Sequence, residues 1–72
     1  MRIEELTVRP PVTASPATTI QQAAALMARD AVGTLVITEG ERVVGIVTDR
    51  DVVVRAVAKN LPLDSRIDGV MS

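Results

Sequence analysis

The apolar positions change period along the chain, and each change marks an element. Ile20, Ala23, Ala24 and Met27 fall at i, i+3, i+4 and i+7, the stripe of an amphipathic helix, and predict a helix over 20–29. Thr19 precedes Gln22 by three residues, which is capping-box spacing at the start of that helix. The flanking Ala25, Leu26 and Ala28 are not polar either, so the small alanines offer a second face for close packing. Asp30-Ala31-Val32-Gly33 ends the helix, with Gly33 available for a positive φ. Two β-branched runs follow, 34–38 and 42–48, separated by Glu39-Gly40-Glu41, and predict a hairpin. Leu35-Val36-Ile37 is continuous rather than alternating, which predicts a strand covered on both faces.

Val52-Val53-Val54 could be mistaken for a third such run. The polar spacing predicts a helix over 49–59 instead, because Asp51, Arg55 and Lys59 recur every four residues with the acid first, the favourable order for i,i+4 pairs and for the helix dipole. Val53, Val54, Ala56, Val57 and Ala58 fill the rest of its circumference, more apolar surface than one small sheet covers, and the excess reads as an interface. Upstream, Pro10-Pro11 enforces extended backbone and makes Val12-Thr13-Ala14 a short strand, while Ile3-Glu4-Glu5-Leu6 has the look of a single helical turn. Leu61-Pro62-Leu63 stops the second helix. The order is β-α-β-β-α over 12–61, with 1–11 and 62–72 as linker segments. Arg66-Ile67-Asp68-Gly69-Val70 echoes Arg2-Ile3-Glu4-Glu5-Leu6, so the last residues read as the start of a second repeat.

Composition sharpens this picture in one respect. A 72-residue chain buries a small core that usually needs a disulfide, a metal or a partner, and with no Cys and no His a partner subunit or a continuation of the chain is the aid expected. The 47% hydrophobic content contains no aromatic residue, so the core must be built from aliphatic side chains alone. A net charge of −1 and the lack of aromatic platforms argue against nucleic acid as a partner. No stretch approaches the roughly 20 apolar residues needed to span a bilayer, so no membrane role is expected and a cytoplasmic location is. Catalysis is not expected either, because His and Cys are missing and the neighbouring carboxylates Asp49 and Asp51 are explained by the preference of helix N-termini for negative charge.

Candidate chemistry collects at Gly45-Ile46-Val47-Thr48-Asp49-Arg50-Asp51, where an apolar strand gives way to a helix. Thr48 and Asp51 have the [ST]-x-x-[DE] spacing of a capping box, which needs no ligand to explain it. The same pair, at the rim of a core, could equally meet a small molecule, and Arg50 is either its nearest cation or an exposed first-turn residue.

Taken in order, Thr19-Ile20-Gln21-Gln22-Ala23-Ala24, Met27, Val32-Gly33-Thr34-Leu35-Val36-Ile37 and the Gly45 to Asp51 pattern resemble a cystathionine-β-synthase-type (CBS) domain over nearly the whole chain. The expected fold is α+β, a three-stranded mixed sheet with two helices packed on one face. The resemblance implies a regulatory module that pairs with a second motif and binds adenosine-containing ligands, AMP, ADP, ATP or S-adenosylmethionine, in the cleft between them. By that resemblance Thr48 meets phosphate, Asp51 accepts from the ribose hydroxyls, and Ile46 and Val12, with the backbone near Thr13, Val32 and Gly33, flank adenine. It also implies association, either as a homodimer through helices 20–29 and 49–59 or with a second CBS motif. Alternatives are a pure association module without ligand and one half of a tandem pair. The chain departs from the family pattern at Asp30-Ala31, where nucleotide-binding members often carry a basic or polar residue, and at Val36, which replaces a frequent proline. Asp49 and Asp51 would repel a polyphosphate, which favours a monophosphate or an uncharged adenosyl group over ATP.

Overall fold

The computed structural model describes residues 10–72, and the helical turn expected at Ile3 to Leu6 lies outside them. Strand β1 (Thr13–Ala14) leads to helix α1 (Ile20–Asp30), followed by β2 (Thr34–Glu39) and β3 (Arg42–Thr48). Helix α2 (Asp49–Asp51) then runs without a break into a π-helical stretch (Val52–Val57), and a 3₁₀ turn (Ile67–Gly69) comes last. The sheet has three strands in the order β1-β2-β3, the first pair parallel and the second antiparallel, as expected for the α+β unit. A two-residue loop joins β2 to β3, and Gly40 takes a φ of 63° at its first position, the conformation glycine adopts without strain.

Pairing across β2 and β3 sorts the side chains. Leu35 stands opposite Val47 and Ile37 opposite Gly45, while Thr34 faces Thr48 and Val36 faces Ile46. Leu35, Ile37 and Val47 are fully buried, and against them lie Ile20, Ala23 and Met27 of α1 and Ala56 of the π-helical stretch. Both helical segments therefore cover one face of the sheet. Val36 on the other face is half-buried within this chain. Ala24, expected on the buried stripe, is exposed beside Ala25 and Ala28.

Three further expectations are revised. Helix α1 closes with Ala31 in the left-handed region at φ 53°, while Gly33 has no positive φ, and the Val32 amide donates back to the Met27 carbonyl at 3.1 Å. The second helix ends at Val57 rather than Lys59, and its later hydrogen bonds span five residues, from the Ala58 amide to the Val53 carbonyl and from the Leu61 amide to the Ala56 carbonyl. Lys59 consequently falls in the turn that precedes Asn60, itself at φ 56°, and leaves the row of Asp51 and Arg55.

The largest revision concerns 62–72, expected as a linker. Ile67 and Val70 are 0% and 1% exposed and complete the aliphatic core. The same segment also answers the first orphan amides of α1: Ile20 donates to the Ser65 carbonyl at 2.9 Å and Gln21 to the Leu63 carbonyl at 3.0 Å, while the Thr19 side chain takes the Gln22 amide at 3.1 Å. The Gln22 side chain accepts from the Thr19 amide at 3.0 Å, so the capping box expected there is complete.

Beyond Val70 the chain runs alongside the edge of β3. A Cβ built on Gly45 would lie 2.6 Å from the Met71 sulfur and 3.0 Å from the Ser72 carbonyl oxygen, so a larger residue there must displace the Met71 side chain and crowd the Ser72 backbone. Gly45→Ala is expected to destabilise the fold by about 1–3 kcal/mol through overpacking. Gly69→Ala, where nothing lies within 4 Å of the added Cβ, should shift stability by no more than about 0.5 kcal/mol. Urea midpoints of the two variants check the contrast, and equal shifts would contradict it.

Candidate functional site

Thr48 ends β3 in extended conformation, with φ −111° and ψ 164°, and caps α2. Its Oγ1 accepts the Asp51 amide at 3.1 Å, and Asp51 Oδ2 accepts the Thr48 amide at 3.0 Å, so the two residues satisfy each other's backbone reciprocally. The other Asp51 oxygen, Oδ1, is 3.7 Å from Arg55 Nε. An ionised carboxylate has about four acceptor positions, so Asp51 retains capacity while it caps. Asp49 is fixed differently: its amide donates to the Gly33 carbonyl at 2.9 Å and its Oδ1 accepts the Arg50 amide at 2.8 Å. A Cβ on Gly33 would stand 3.2 Å from Asp49 Oδ2, so the absence of a side chain lets this carboxylate lie against the β2 entry. Close approach, not positive φ, is what Gly33 supplies.

The β2–β3 register decides which expected residues come together. Thr34 opposite Thr48 and Gly33 bonded to Asp49 bring the start of β2 beside the cap. Thr13 pairs with Val36, which pairs in turn with Ile46, so these three occupy the open face beside Thr48. Val12 and Val32 are partly buried against the core and also line a cavity of about 290 Å³ with Pro10, Pro11, Gly33, Thr34 and Val36. Arg50 is exposed on the first turn of α2. Thr34 and the two prolines were not singled out as wall residues from the sequence; the alternation that begins at the buried Leu35 would have placed Thr34 and Val36 on the open face.

A larger cavity of about 390 Å³ lies elsewhere, along the outer side of α1 between Thr18, Gln21, Gln22, Ala25, Leu26 and Arg29. Its one cation is engaged: Arg29 donates to both oxygens of Asp30, at 3.0 and 2.9 Å, and this pairing raises the guanidinium pKa above its ordinary value. Nothing there matches the motif at the β3–α2 junction. Among the described residues no group of three or more His, Cys, Asp or Glu is arranged to hold a metal, and no helix is long and apolar enough to cross a membrane.

The reciprocal cap predicts a coupled pair. Thr48→Ala should cost about 1 kcal/mol of stability, Asp51→Ala a similar amount, and the double variant less than the sum by about 0.5 kcal/mol or more, because either single change already breaks the box. Urea unfolding of the four proteins measures the coupling, and strict additivity would refute it.

Comparison with known proteins agrees with this architecture. No curated protein matches the sequence. Among solved structures, a CBS domain protein of Pyrobaculum aerophilum, crystallised in complex with AMP, matches all of this chain at 36% identity and a TM-score of 0.83, over 56% of its own length. A CBS-domain containing protein of Agrobacterium tumefaciens matches 96% of the chain at 30% identity and a TM-score of 0.83, over 53% of its length. A cystathionine β-synthase domain protein fused to a Zn-ribbon-like domain matches 88% of the chain at 28% identity and a TM-score of 0.82, and there the match spans 91% of the other chain. The chain thus spans about half of the first two relatives. The sequence pattern of the CBS domain family matches residues 3–57, and with the fold in agreement over most of its length, the chain belongs to the CBS domain family.

Proposed function

We propose that this chain is a regulatory module that senses an adenosine-containing ligand, AMP-like or S-adenosylmethionine-like, in a cleft completed by a second motif. The observation that carries the reading is the β2–β3 register: Thr34 opposite Thr48, Val36 opposite Ile46 and the Asp49 amide on the Gly33 carbonyl set the cap of α2 beside a cavity walled by Val12, Val32 and Gly33. A relative solved with AMP supports the ligand class. In this reading Asp51 Oδ1 accepts from the cis-diol of the ribose while Oδ2 keeps its bond to the Thr48 amide. Thr48 and Arg50 meet a phosphate or its replacement, and the aliphatic walls flank adenine. A cap that is also a wall of the cleft needs no rearrangement to bind, which lowers the cost of association.

The role is regulatory and not catalytic, exercised in the cytoplasm. Signal transmission requires the ligand to favour one arrangement of the paired motifs over another, since equal affinity for both would shift nothing. The partner is a second copy of the chain or a second CBS motif. Val53, Val54 and Val57 are 57%, 46% and 61% exposed on the π-helical stretch, and Ala24, Ala25 and Ala28 are exposed on α1, a helical apolar surface suited to such a contact. The observation that Thr48 and Asp51 already satisfy each other favours a second reading, an association module in which the motif only caps.

Isothermal titration with AMP, ADP, ATP and S-adenosylmethionine separates the two. Binding of at least one is expected, and Asp51→Ala should weaken it by about 1.5–3 kcal/mol, the worth of hydrogen bonds to a charged group, while the dimer persists. Silence with all four leaves the association reading. Sedimentation at increasing concentration tests self-pairing separately; a monomer throughout the micromolar range would contradict the homodimer and leave a second CBS motif as the partner, and Val57→Glu should dissociate a dimer built on the helical face.

A further inference from the structure

The 70–72 segment runs along the free edge of β3 as a strap. Ser72 exchanges both backbone hydrogen bonds with Ile46, at 2.9 and 2.8 Å, which makes it a closely paired antiparallel partner on the edge of β3 opposite β2. Met71 rests over Gly45, and Val70 is anchored in the core. Arg55 reaches this strap from the π-helical stretch: its Nη1 is 3.4 Å from the Val70 carbonyl oxygen and 3.5 Å from Ser72 Oγ. The same guanidinium presents Nε to Asp51 Oδ1 at 3.7 Å. A planar fork with five donors can address two partners in different directions at once, and a lysine ammonium at the end of its stem cannot hold the same pair.

We propose that Arg55 couples the 70–72 strap to the Asp51 carboxylate, so that seating of the strap and binding of an adenosyl ligand at Thr48 and Asp51 reinforce each other. The proposal rests on the reading of that junction as a ligand site. The strap meets the site at two points, the backbone of Ile46 and, through Arg55, the carboxylate that would accept the ribose. Arg55 is a positioning residue in this scheme: its charge biases the orientation of Oδ1 without touching the ligand. Reciprocity follows from linkage, because a strap that favours the binding orientation of Asp51 must itself be favoured, by the same factor, when the ligand is present. The side chains of Arg55 and Asp51 are 49% and 16% exposed and their contacts are long, so the coupling is modest, about twofold to fivefold.

Amide hydrogen exchange at Ile46 and Ser72, read by NMR on the full chain with AMP as the probe, tests the coupling. Arg55→Gln should speed exchange at both amides by about twofold to fivefold without ligand, and saturating AMP should slow them by a similar factor in the unaltered chain but not in the variant. Arg55→Lys keeps the charge and should behave like Arg55→Gln; a response to AMP equal to that of the unaltered chain would reduce the role to charge alone and overturn the proposal. A ligand-free arm stands apart from the binding question: Asp51→Asn should speed Ser72 exchange when Arg55 is present and have no effect in Arg55→Gln. Indifference of Ser72 to Asp51→Asn, or an effect that survives loss of Arg55, overturns the coupling. Failure of AMP to bind while the ligand-free arm behaves as expected overturns the AMP-site reading and supports the Asp51–Arg55–strap link.

Discussion

The register of β2 against β3 governs both the core and the candidate site. Leu35 opposite Val47 fills the interior, and Thr34 opposite Thr48 and Val36 opposite Ile46 build the open face. Because side chains alternate with period two, a slip of one residue would exchange these sets and send the threonines into an aliphatic core. The irregularity between Ile37 and Thr38 confines the adjustment to the hairpin end, away from the cap. The Asp49 amide bonded to the Gly33 carbonyl then locks the far end of the pairing beside the start of α2.

A core without aromatic rings needs closure from every available segment. Among the described residues nine buried apolar side chains make it, and two of them, Ile67 and Val70, come from beyond the second helix. That late segment serves α1 as well, by accepting the Ile20 and Gln21 amides. The backbone that seals the interior is therefore the same backbone that ends as a strap against Ile46. Motif residues divide accordingly: Gly45 serves the passage of Met71, whereas Thr48 and Asp51 serve the helix start and remain at the surface rim.

Much of this was legible along the chain. The stripe of Ile20, Ala23 and Met27, the capping pairs Thr19–Gln22 and Thr48–Asp51, and the hairpin around Gly40 are local features, set by helical period, side chains three residues apart and the φ freedom of glycine. The motif residues of the site were legible for the same reason. Their neighbours were less so: Pro10, Pro11 and Thr34 join the cavity wall through the parallel contact of β1 with β2, a pairing that local pattern does not specify.

The sequence by itself determined the order of elements, the aliphatic character of the core and the place of the β3–α2 junction, because each depends on residues close together in the chain. Only the tertiary structure decided that Ile67 and Val70 join the core, that the Asp49 carboxylate lies close against Gly33, and that the second helix widens into a π-helical stretch ending at Val57. It also decided that Arg55 stands between Asp51 and the strap at Gly45. These are contacts between distant segments, in which packing and unsatisfied backbone groups select among conformations that the local sequence leaves equally open.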